Sequence, residues 1–205
     1  MNRGFTLIEL LVSIAIFAIM TALVVAKYGN FNQSTLLTDT AYDVALAVRT
    51  AQTYGLSVKN ASQAGSQFNY PYGVEFVEKP TSSQCAGINP DGTVIILYGN
   101  SNGGFACNTN DTLVSKYTLT RGAHISRLCA SSVNGTCSGD INNNGNGNSN
   151  NSLSIVFLRP NPDAIFCVNG NCNKNTYVQI DVTSSDGNNT RTISVWQNGQ
   201  ISVSH

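Results

Sequence analysis

Between Phe5 and Ala26 the chain carries a single charged side chain, Glu9, and this apolar run limits every fold open to it. A helix over the run is about 33 Å long, enough to cross a bilayer core of roughly 30 Å. Ahead of it stand only Met1-Asn2-Arg3-Gly4, short and basic. A secretory signal has its apolar region first and a small-residue cleavage site after it. Here the small residue, Gly4, comes first, so a cut at Gly4 leaves the hydrophobic helix on the mature chain. Glu9 is the second constraint. A carboxylate inside a bilayer costs several kcal/mol unless it is neutralised or paired, so such residues are usually functional.

Gly4-Phe5-Thr6-Leu7-Ile8-Glu9-Leu10 resembles the processing motif of type IV prepilins and type II secretion pseudopilins. The resemblance implies a membrane prepilin peptidase that cuts between Gly4 and Phe5 and methylates the new amine of Phe5. It also implies that Glu9, with Thr6 in the same motif, serves assembly, Glu9 pairing with the N-terminal amine of a neighbouring subunit in a helical filament. Arg3 and Lys27 flank the run with one positive charge each, so orientation rests on the motif. The competing reading is a plain single-pass anchor whose Glu9 reaches headgroup water.

Beyond the leader and span, roughly 175 residues remain, the size of one globular domain. The expected organisation is a leader over 1–4 and a transmembrane or filament-core helix over 5–27. An amphipathic continuation of the helix follows over 28–59, then a disulfide-containing β-rich head over 60–205. Eleven basic and eleven acidic residues give a net charge of zero, and charged residues make up only 11% of the chain. Non-specific DNA binding by bulk charge is therefore not expected.

Gly29-Asn30 predicts an interruption of the helix just past the membrane. Periodicity then resumes from Thr35 to about Val58, with Leu37, Ala41, Val44, Val48, Ala51 and Gly55 on one face. That apolar stripe, rich in small residues, is expected to lie on a sheet. Strands are predicted at 72–77, 93–98, 113–119, 124–129, 153–158, 164–168, 177–183, 190–196 and 200–204. Turn residues separate them at Pro90-Asp91-Gly92, Asn161-Pro162-Asp163, Asn169-Gly170 and Asp186-Gly187-Asn188. Asn198-Gly199 reads as a two-residue hairpin loop. The fold class is α+β: a long N-terminal helix packed on antiparallel sheet.

Ala47-Val48-Arg49-Thr50-Ala51-Gln52, Tyr72-Gly73-Val74-Glu75-Phe76 and the ending Thr190–Val195 with Gly199–Val203 look like the H-type pseudopilin and minor pilin family (GspH/FimT-like). That resemblance implies paired antiparallel sheets on the helix and a minor subunit that helps prime a filament. DNA-binding members carry an arginine-rich stretch near the C-terminus. The matching place here reads Gly199-Gln200-Ile201-Ser202, without arginine, which speaks against DNA uptake.

Six cysteines in a domain outside the cytoplasm point to disulfides. Cys167 and Cys172 bracket a hairpin tip, Cys129 and Cys137 bracket a short loop, and Cys85 and Cys107 are left to each other by proximity. Nested or crossed pairings stay open. A zinc site competes weakly, because no CxxC pair occurs and only His124 and His205 are available. Asp140, Asn142, Asn144 and Gly145 match the opening of a calcium loop, but Asn151 stands where the pattern needs a bidentate Glu. An exposed Asn/Gly loop is the preferred reading there, and no cofactor is expected.

No nucleophile motif marks a base near His124, and the carboxylates are scattered, so the chain does not read as an enzyme. Arg121, His124 and Arg127 are close enough in sequence for an anion patch, but read better as solvent-facing or pairing residues. Two functions remain. One is a minor pilin or pseudopilin of a type IV pilus or type II secretion pseudopilus. Its partners would be other pilin subunits, prepilin peptidase, the assembly platform and, before assembly, membrane lipid. Such a subunit is a single-pass cytoplasmic (inner) membrane protein with its head outside, and afterwards part of the fibre. The other is a membrane-anchored or pilus-tip adhesin.

Overall fold

The computed structural model describes residues 6–57, 70–80, 84–101, 103–133, 137, 140–141, 151–172 and 175–204, with the backbone alone for 27–32. One helix, α1, spans Leu7–Leu56. The interruption expected at Gly29-Asn30 does not occur, and the helical backbone runs through both residues. A single glycine costs a helix about 1 kcal/mol, too little to break one this long. The chain divides into two compact units, Met1–Leu36 and Leu37–His205.

Within the second unit, α1 buries the predicted stripe: Leu37, Ala41, Val44, Ala47, Val48 and Ala51 are all in the core. Gly55 extends it by close approach. A Cβ at Gly55 would lie 2.5 Å from the backbone oxygen of Phe157, so only glycine lets the helix end meet that strand. The Arg159 N–H then donates to the Gly55 carbonyl at 3.1 Å.

Among the described residues ten strands follow: β1 Tyr72–Val77, β2 Val94–Gly99, β3 Thr112–Thr118, β4 His124–Ser131, β5 Ser152–Leu158, β6 Asn161–Val168, β7 Asn171–Cys172, β8 Tyr177–Thr183, β9 Thr190–Trp196 and β10 Ile201–Ser204. They form two antiparallel sheets, one in the order β3-β2-β1-β5-β6-β7 and one in the order β10-β9-β8-β4. Both turn one face to the helix stripe. Val74, Phe76, Ile95, Leu97, Ile155, Phe157 and Phe166 of the first sheet share a single core with Ile125, Leu128, Val178, Ile180, Val182, Ile193 and Val195 of the second. Alternate residues along the strands supply this face, as the two-residue period requires, except at the bulge in β4 that separates Ile125 from Leu128. The architecture is α+β and pilin-like.

Three local differences from the sequence reading have physical causes. Asn161-Pro162-Asp163, read as a turn, opens β6 instead, and the turn falls at Arg159-Pro160. A proline and a charge are tolerated there because this stretch of β6 lies beyond the two-residue pairing with β7. The 171–172 pair adds a short strand to the expected hairpin tip, where Asn169 and Gly170 both take positive φ. At Asn198-Gly199 only Gly199 has positive φ, and Trp196 exchanges hydrogen bonds with Gly199 and Gln200. The loop is therefore the three-residue kind closed by glycine, not the two-residue kind.

Candidate functional site: the amino-terminal helix and its carboxylate

The Leu7–Ala26 segment has a mean hydropathy of 2.6, and none of it is buried inside the structure. Leu7 and Phe17 are 81% and 71% exposed. An apolar surface of that extent has to be covered by lipid or by other protein. The hydroxyl side chains within it are satisfied internally. Ser13 donates to the Glu9 carbonyl at 2.7 Å, and Thr21 donates to the Phe17 carbonyl, so neither hydroxyl needs water.

Glu9 is placed by the start of the helix. Thr6 accepts the Glu9 N–H on its hydroxyl at 3.3 Å and the Leu10 N–H on its carbonyl at 3.2 Å, the geometry of an N-cap. The carboxylate thus sits in the first turn, where the helix dipole favours negative charge. It is exposed, the single acidic group on an otherwise apolar surface. Gly4 and Phe5, the expected cleavage and methylation residues, lie outside the described residues.

The structure pairs each cysteine with its neighbour in sequence: Cys85–Cys107, Cys129–Cys137 and Cys167–Cys172. The last spans the directly opposed residues of β6 and β7. Of the calcium-loop residues Asp140 is described, whereas Asn142, Asn144 and Gly145 lie outside the described residues, as does His205. Arg127 is committed to Asp181, its Nε 2.7 Å from the carboxylate, and Thr192 donates to the other oxygen. Arg121, exposed, takes positive φ in the turn before β4, and His124 Nδ1 lies 3.4 Å from the Gly122 carbonyl.

A buried polar centre that the sequence reading missed lies on the outer face of the six-stranded sheet. Glu75 of β1 is 5% exposed and accepts a hydrogen bond from Ser154, its cross-strand neighbour on β5. Burial pushes its carboxyl up to about 7, against the lowering effect of the Ser154 and Ser152 hydroxyls. Asp111 is raised for the same first reason, while the N–H groups of Asn108 and Ser101 donate to it. Tyr98 fills the space left by Gly73 and donates to the Phe105 carbonyl at 2.7 Å. The signal that could have found this centre is the run Val94-Ile95-Ile96-Leu97-Tyr98. Apolar at every position, it marks a strand covered on both faces, and a covered second face buries its neighbours too.

Residues 1–25 match the family model of the prokaryotic N-terminal methylation motif. No curated protein and no solved structure matches the chain. The motif is the signal of type IV pilins and pseudopilins, and it marks a pilin-like precursor that prepilin peptidase processes and that assembles with other pilins. It belongs to a structural class rather than an enzyme class. Motif and apolar helix together describe a membrane-anchored chain that afterwards enters a pilus-type fibre.

Proposed function

We propose that the chain is a minor subunit, of the H-type pseudopilin or minor pilin kind, in a type IV pilus or type II secretion pseudopilus. Prepilin peptidase cuts between Gly4 and Phe5 and methylates Phe5. Before assembly the chain crosses the cytoplasmic membrane once, with its head outside, held by the Leu7–Ala26 segment. On assembly that segment passes from lipid to a bundle of like helices at the assembly platform, and Glu9 pairs with the N-terminal amine of a neighbouring subunit.

The observation that carries the reading is Glu9, one carboxylate in the first turn of α1, on an apolar segment no part of which is buried. In lipid or in a helix bundle its charge is unfavourable until a cation meets it, so a partner's amine supplies both energy and axial register. The test is Glu9→Val, with the chain followed in membrane and sheared-filament fractions. The reading expects normal amounts in membranes and loss from filaments. Equal recovery in both fractions would leave a simple anchor.

A further inference from the structure

The outer face of the six-stranded sheet carries a cover built from two short segments on either side of β2. Cys85–Ile88 precedes the strand and Phe105–Asn108 follows it. The Cys85–Cys107 disulfide joins them, and the Ala86 N–H donates to the Asn108 carbonyl at 2.9 Å. Beneath lies an apolar patch of Val94, Ile96, Tyr98 and Val156, against which Ala86, Ile88 and Phe105 pack. Glu75 is on the same face, next to that patch. The backbone N–H of Cys107, in the cover, reaches Ser154 Oγ at 3.5 Å, and the Ser154 hydroxyl donates to the Glu75 carboxyl. One hydroxyl thus links the cover to a buried carboxyl.

Among the described residues, no counter-charge meets Glu75 across this face. From β2 it is faced by Tyr98, and from the turn before β3 by Asp111, which adds negative charge. From β5 it is faced by the Ser152 and Ser154 hydroxyls, and from β6 by Cys167, held in its disulfide. Lys116 of β3 lies in the same cross-strand row, but beyond Ile96 and exposed. Two strand spacings put it about 10 Å away, where solvent screens it.

We propose that Glu75 is a proton-operated latch: with its carboxyl neutral the Cys85–Cys107 cover stays on the sheet, and ionisation lifts the cover and bares the apolar face. An ionised carboxyl under the cover has two hydroxyls and, among the described residues, no cation to replace its water. Raising the cover restores that water, so opening releases a proton and is favoured as pH rises. The disulfide limits the motion by keeping the two segments together.

The experiment uses the full chain in detergent micelles and a phosphine reductant, with the disulfides followed by peptide mass. The readout is the reduction rate of Cys85–Cys107 divided by that of Cys129–Cys137, which lies on the other sheet and reports general loosening. The ratio should rise up to about tenfold per pH unit as pH climbs from ordinary carboxylate values to about 7, then level off. Glu75→Gln, neutral at every pH, should hold the ratio at its acid value. A flat profile in the unmodified chain overturns the latch whatever the variant does, and so does an equal rise in Glu75→Gln.

Discussion

The Glu9 N–H donates to the Thr6 hydroxyl at 3.3 Å, so the residue that caps α1 also sets the turn in which the carboxylate sits. The two roles separate by mutation. Thr6→Val removes the capping oxygen at a cost of about 1 kcal/mol and keeps the charge. Glu9→Gln keeps the size and loses the charge. Membrane levels should be unchanged in both. Filament recovery should fall severalfold for Thr6→Val and by at least about tenfold for Glu9→Gln, because a charge pair out of water is worth more than a cap.

Gly55→Ala tests the close approach of helix and sheet. Alanine ordinarily stabilises a helix interior by about 1 kcal/mol relative to glycine. Here the added methyl would sit 2.5 Å from the Phe157 oxygen and 2.7 Å from its Cβ, and a strand backbone cannot step aside. A net loss of about 1–3 kcal/mol is expected, lowering the melting temperature of the head by several degrees. Scanning calorimetry of the full chain in micelles measures it. A higher melting temperature would mean that the helix end has room.

Head stability should fall as pH rises toward neutrality. Glu75 ionises at an ordinary 4.5 when unfolded and at about 7 when folded, so between these values the folded state holds the extra proton. Its stabilisation is complete below about 4.5 and is lost as pH rises through about 7, a change on the order of 3 kcal/mol. Glu75→Gln should flatten this part of the profile. Chemical denaturation at a series of pH values gives the comparison, and a steeper slope in the variant would contradict the assignment.

The disulfides should differ in worth. Cys85–Cys107 closes 22 residues and Cys167–Cys172 only 5. Loop-closure entropy gives about 3 kcal/mol for the first and about 2 for the second. Replacing the first pair by serine should therefore cost more, and it also unlinks the two segments of the cover. Paired urea unfolding curves test the order.

The elements that could be read in advance have a clear apolar period or a β-branched, aromatic composition. The helix stripe from Leu37 to Gly55 shows the period that one buried face imposes, whereas strands 72–77 and 177–183 declare themselves by composition, although nearly every residue in them is buried. Glu75 was not legible, because Tyr72-Gly73-Val74-Glu75-Phe76-Val77 reads as an alternating strand with its glutamate in water. Its burial depends on a cover contributed by residues 85–88 and 105–108, and the trace of that cover lies in the neighbouring run Val94–Tyr98 rather than in the strand that carries Glu75. The first residues of β6 were misread because turn-forming composition outweighed pairing that only the sheet edge permits. At the amino terminus the opposite holds. Glu9 stands out because a lone carboxylate in an apolar run is costly and usually functional.

The most direct test of the central claim is the mass of the N-terminal peptide of the native protein, taken from sheared surface filaments and from membranes. A peptide that begins at N-methylated Phe5 in the filament fraction is the predicted result, and it establishes processing and assembly together. A chain that still begins at Met1 and stays in the membrane fraction would contradict it.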